Sequence, residues 1–170
     1  MIKSIVSLSL LAASVAVPAF AQQDLVKDTI VKHLKTSRDF TLKVAEAMPA
    51  SDYDFKLTPA QMTFGEQMVH LASGLTYFVS AFRDEKPNPG KPPSMSKADV
   101  ISFVKSQFDK TIDEVSNLTH DQLAKTYKGE EGTETGLERL LGMLDHTTHH
   151  RASAEMYLRA KGIKPPEYQN

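Results

Sequence analysis

Between Asp84 and Met95 the chain carries four prolines, Pro87, Pro89, Pro92 and Pro93. Proline has no backbone N–H and clashes with the preceding turn, so neither a helix nor a central strand can run through this stretch. It reads as a semi-extended connector. At ~3 Å per residue such a connector can run the length of a helical bundle. The elements on its two sides are therefore joined by a long crossover and not by a tight hairpin.

Everything flanking that connector has helical period. Val26, Ile30 and Leu34 recur every four residues, Leu42, Ala45 and Met48 continue the apolar side, and Pro49 ends a helix expected from about Asp24 to Met48. Ser51, Asp52, Asp54 and Pro59 mark residues 50–62 as a connector. Thr63-Phe-Gly-Glu66 is a capping box, and Phe64, Met68, Leu71, Leu75, Phe78 and Phe82 form the stripe of a second helix behind it. Ser96 opens a third helix, with Ile101, Val104, Phe108, Ile112 and Val115 inward. A short helical piece follows from Thr119 to Gln122, broken by Tyr127–Thr133. A capping box at Thr135–Glu138 opens the last helix, which Gly162 and Pro165-Pro166 stop near Lys161. No strand-period segment of any length competes. The expected fold is all-α, a four-helix bundle with the long crossover between helices 2 and 3.

The N-terminus belongs to a different category. Lys3, the apolar run Ile5–Val17 and Ala19-Phe-Ala21 have the charged, apolar and small-residue parts of a signal peptide cleaved after Ala21. Residues 22–170 would then be one exported domain, periplasmic or secreted, with no membrane span after removal of the leader. The chain has no cysteine, which excludes thiolate metal ligands, Fe–S clusters and a cysteine nucleophile. Twenty basic residues oppose 21 acidic ones, and loss of Lys3 makes that 19 against 21. No basic block interrupts the balance, so nucleic acid is not an expected partner.

The chemistry concentrates in Asp145-His-Thr-Thr-His-His-Arg151. His146 and His150 are one helical turn apart on one face, where both imidazoles can reach a single metal ion. Such an ion wants three or four donors, and His70 is the candidate third. His149 points further from the apolar side and is expected to be exposed or to orient a ligand; Thr148, Arg151, Glu155 and Arg159 are expected on a polar side. Gly74, one turn from His70, either lets helices approach or leaves room beside the histidine. Thr147 follows His146 where a zincin would have glutamate, so the protease base is missing. No nucleophile elbow occurs, and no histidine has glutamate three residues before it, as a di-iron bundle would require.

Four segments carry a resemblance: Met48–Phe55, Thr63–Ala72, Met143–Arg151 and Tyr157–Tyr168. In this order they resemble the DinB/YfiT-like family of metal-dependent four-helix-bundle proteins. The resemblance implies up-down-down-up topology, a divalent ion (zinc or nickel) on His70, His146 and His150, and a homodimer. One departure is Arg151-Ala-Ser153, where relatives often carry Arg-Gly-Gln; it leaves the three histidines in place.

A three-histidine ion with an open position suits a metal-dependent hydrolase or transferase acting on a small molecule. Glu66 could then serve as base or orient a ligand, although its capping box already accounts for it, and Tyr77 and Tyr157 could line the pocket. The alternative is a non-catalytic metal-binding or dimerising module.

Overall fold

The computed structural model describes residues 19–129 and 132–169. The expected leader, residues 1–21, lies outside them except for its last three, which open the first helix. Four long helices form the body: α1 (Ala19–Ala47), α2 (Phe64–Ser80), α3 (Lys97–Ser116) and α5 (Gly136–Ala160), with the short α4 (His120–Ala124) between the last two. No helix among the described residues is long and apolar enough to cross a membrane.

Side-chain contacts fix the direction of each helix. Along α2 and α3, Thr76 meets Gln107 and Arg83 meets Glu114, so the two run parallel. Along α1 and α3, Lys27 reaches Leu118, Arg38 reaches Asp109 and Lys97 reaches Glu46, which is antiparallel. Gln67 touching His150 and Arg139 touching Phe78 make α2 and α5 antiparallel. The topology is up-down-down-up. Parallel α2 and α3 need a connection as long as the bundle, and the proline-rich residues 84–95 supply it. Gln107 pins that connector by donating to the Pro89 carbonyl at 2.9 Å.

The helix boundaries follow local chemistry. Thr63, Thr119 and Thr135 each accept from the backbone N–H three residues on, while Glu66, Gln122 and Glu138 reach back to the cap N–H. Such a cap is worth about 1 kcal/mol against alanine. At the other end of α5, Gly162 has φ 74°, its N–H donates to Arg159 and the Ile163 N–H donates to Leu158. That is a Schellman stop, and the left-handed residue is glycine because it has no Cβ to clash.

The core takes one stripe from each long helix, with Leu34, Phe40, Val44, Phe64, Met68, Leu71, Leu75, Val104, Phe108, Leu140, Met143 and Leu158 almost wholly buried. Each such side chain contributes about 1.5–3 kcal/mol of transfer free energy. Phe78 is only half-buried, for a reason that belongs to the site.

Two features depart from the sequence reading. Residues 126–135 include a small antiparallel hairpin, β1 (Thr126–Lys128) and β2 (Thr133–Thr135), with Tyr127 buried and opposite Glu134. Arg151 is not on an exposed polar side of α5. It is buried, 6% exposed, with its guanidinium 4.6 Å from the centre of the Phe40 ring and donating to the Ser37 hydroxyl at 2.7 Å. Helix α5 packs against both α1 and α2, so two of its sides are covered.

Candidate metal centre

Because α2 and α5 run antiparallel, the middle of one faces the middle of the other. His70 comes from α2, and His146 and His150 from successive turns of α5. Ring centres are 4.4 Å apart for His70–His150, 4.4 Å for His146–His150 and 5.4 Å for His70–His146. One ring nitrogen from each lies within 4.8 Å of those of the other two, and the three could hold a metal ion. His70 is exposed and the α5 pair half-buried, so the cluster is open on the His70 side.

Gly74 is what admits His146. A Cβ built on Gly74 would lie 2.2 Å from His146 Cε1 and 2.6 Å from its Nδ1. Of the two readings of Gly74, the structure has both at once: close helix packing, with an imidazole as the thing packed. His146 Nδ1 is buried without a hydrogen-bond partner. An orphaned imidazole nitrogen is costly unless something else takes its lone pair or proton, so the donor set fits a metal ion.

His150 is held differently. The side-chain amide of Gln67, 5% exposed, lies 2.6 Å from His150 Nδ1. The amide nitrogen faces Nδ1 in the structure; with the amide turned end for end its oxygen accepts from Nδ1–H and Nε2 keeps a free lone pair for a metal, the usual way a ligand imidazole is oriented. Gln67 was not among the expected residues. It stands three positions before His70 and reaches across to the His150 ring on α5.

The electrostatics favour neutral imidazoles. Burial, then His70 and His149, lower the pKa of His146. Burial, then His146, His70 and His149, bring that of His150 down to about 4. Both rings are thus neutral at pH 7, the state that binds metals.

The other expected residues separate. Glu66 is exposed and its carboxylate accepts from the Thr63 N–H at 2.7 Å, so it completes the cap. His149 is exposed, its ring 4.9 Å from that of His150 and outside the three-histidine group. Tyr157 does not line the pocket: it is 1% exposed, packs edge-on against Phe55 and Phe64 and donates to the Met62 carbonyl at 2.7 Å. Thr147 is fully buried and donates to Met143, so the position after His146 points into the core, away from any substrate.

Tyr77 does line a cleft. A cavity of about 620 Å³ opens beside His70 and His146, walled by Ser73, Gly74, Tyr77, Phe78, the crossover prolines Pro87 and Pro89, and Glu134 of the hairpin. This cleft is why Phe78 is only half-buried. Its floor is braced by Arg139, 3% exposed, which donates to the Phe78 carbonyl at 2.7 Å and the Tyr77 carbonyl at 3.2 Å and pairs with Glu134.

A sequence model of the DinB superfamily matches residues 33–154. Among solved structures the chain is similar to a DinB-like protein from Bacillus subtilis, at 23% identity and a TM-score of 0.72, over 84% of this chain and 99% of that one. It is also similar to a DinB-like protein from Bacillus cereus, at 14% identity and a TM-score of 0.73, over 84% and 97% of the two chains. At these identities the likeness is one of fold. A comparison with curated proteins gives no match.

Proposed function

We propose that this chain, which belongs to the DinB superfamily, holds one divalent ion through His70, His146 and His150 and uses it on a small molecule seated in the adjoining cleft. The observation that carries this reading is that His70 and His146 belong both to the three-nitrogen cluster and to the wall of the 620 Å³ cavity. A purely structural ion needs no such opening.

Bound there, a zinc or nickel ion would supply Lewis-acid polarisation or an acidified water. The protein's own part is positioning. Gln67 and Gly74 fix the two α5 imidazoles. Tyr77, Phe78, Pro87 and Pro89 offer an apolar wall to the body of the substrate, and burial against them excludes water. Glu134, tied to Arg139, is a fixed hydrogen-bond acceptor at the rim. The reaction class this supports is hydrolysis or group transfer.

The second reading is a non-catalytic metal-binding or dimerising module. It rests on the ligands' origin in two helices, which an ion would staple together, and on exposed Leu141 and Met156 on α5. We also infer export, on the leader pattern of residues 1–21; the N-terminal residue of protein recovered from the cell envelope tests it.

The deciding experiment is metal content of the purified protein beside His70→Ala and the double variant His146→Ala/His150→Ala. About one ion per chain, lost in both variants, is expected. Metal retained without His70 would replace the triad by a local site on His146, His149 and His150. An ion whose coordination sphere has no exchangeable water would favour the stapling role over catalysis.

A further inference from the structure

Helix α5 buries two arginines, and they are treated unequally. Arg139 has a carboxylate and two carbonyls. Arg151, equally buried, has one hydrogen bond, from Nη1 to Ser37, and the face of Phe40. No carboxylate among the described residues pairs with it; Glu155, one turn on, acts only through space and is bonded to Arg159 at 3.4 Å. No Arg151 nitrogen is sealed away without a partner, so the donors that Ser37 does not use keep access to solvent and are free to meet a ligand.

Arg151 also lines a cleft of about 250 Å³ between α1 and α5, together with His33, Thr36, Ser37, Thr148 and Tyr168. No acidic residue lines it. It is formed against α1, and shares no lining residue with the histidine-lined cavity.

We propose that this cleft is a second ligand site, for the carboxylate of a small monocarboxylic acid. One arginine fork matches one carboxylate in two parallel N–H···O bonds. The hydroxyls of Ser37, Thr36 and Thr148 add donors that can rotate to suit. A dianionic phosphate would bring a second charge to a lining in which Arg151 is the one permanent cation. Leu144 and Tyr168, also in the lining, offer apolar surface to a short hydrocarbon tail.

The test is a titration with butyrate, and separately with inorganic phosphate at matched ionic strength, followed through the Arg151 Nε–H resonance. Arg151 itself is too buried for a clean deletion, so the variant is Thr148→Glu, at an exposed position that places a competing carboxylate in the cleft. Saturable butyrate binding is expected, weakened at least tenfold in Thr148→Glu and retained in His146→Ala, with phosphate weaker than butyrate. A response that fails to saturate or persists undiminished in Thr148→Glu overturns the proposal. So does one that vanishes in His146→Ala, which would put the acid on the histidine centre. Tighter binding of phosphate would overturn the carboxylate assignment.

Discussion

A methyl group at position 74 would sit 2.2 Å from a His146 ring carbon, well inside any van der Waals contact. Helix propensity pulls the other way, since alanine is better than glycine by about 1 kcal/mol in a helix interior. Gly74→Ala therefore separates site from scaffold. The expected outcome is a protein that remains folded by circular dichroism while metal affinity falls at least tenfold, because His146 must leave its rotamer; unchanged affinity would mean that the ring moves freely. Gln67→Ala should weaken metal binding by about 10–100-fold, the usual effect of removing the partner that orients a ligand imidazole. Glu66→Gln should leave affinity unchanged, since that carboxylate caps a helix; a loss measured by metal titration would restore it as part of the site. His146 and His150 were legible in the sequence because helical geometry turns a spacing of four into a shared face; His70, on another helix, was legible only as the third donor such a pair wants and through the family resemblance. Gln67 was not, because nothing in a single chain distinguishes a buried glutamine that meets another helix from a solvated one.

Among the elements, α5 shows both what local chemistry can specify and where it fails. Its ends were legible to within a residue, since capping box and glycine stop are satisfied by neighbours in sequence. Gly162→Ala is expected to cost about 1–2 kcal/mol, the strain of a Cβ in the left-handed region, measurable as a lower midpoint in urea with unchanged slope. The sides of α5 were less legible. A helix covered by two neighbours need not be apolar wherever it is buried, and here the covered surface includes Arg139, Thr147 and Arg151, each with a polar contact supplied from a distance or from the turn before. Periodicity assigns such residues to solvent. The hairpin escaped for another reason: strands of three residues are too short to establish an alternating period, and their pairing is supported by the Gly129 N–H donating to the Gly132 carbonyl and by Tyr127 packing on Phe82.

At the scale of the whole molecule, the long crossover converts two helical pairs into a bundle whose α2 and α5 run antiparallel, and this brings the distant His70 to the His146–His150 pair. Because the site spans two helices, an ion that binds only the folded chain stabilises it by RT ln(1 + [L]/Kd), about 2.7 kcal/mol at a hundredfold excess over Kd. Chelation should then lower the melting temperature by about 5–11 °C at ~2–4 °C per kcal/mol for a chain of this size. Protons oppose the same cluster. The pKa of His150 goes from 6.5 when unfolded to about 4 when folded. Between those values the unfolded chain binds more protons, so the stability tied to neutral His150 is fully present above pH 6.5 and is lost as pH falls toward 4. His146 shifts in the same direction. The metal-free protein should therefore melt progressively lower across that window, and His150→Gln, which cannot titrate, should flatten the slope. In the metal-loaded protein the fall should be steeper, because protonation also expels the ion and removes its contribution. Parallel melting curves for His150→Gln and the parent from pH 7 to 4, with metal removed, would show that the buried imidazoles do not govern acid stability and that the carboxylates do.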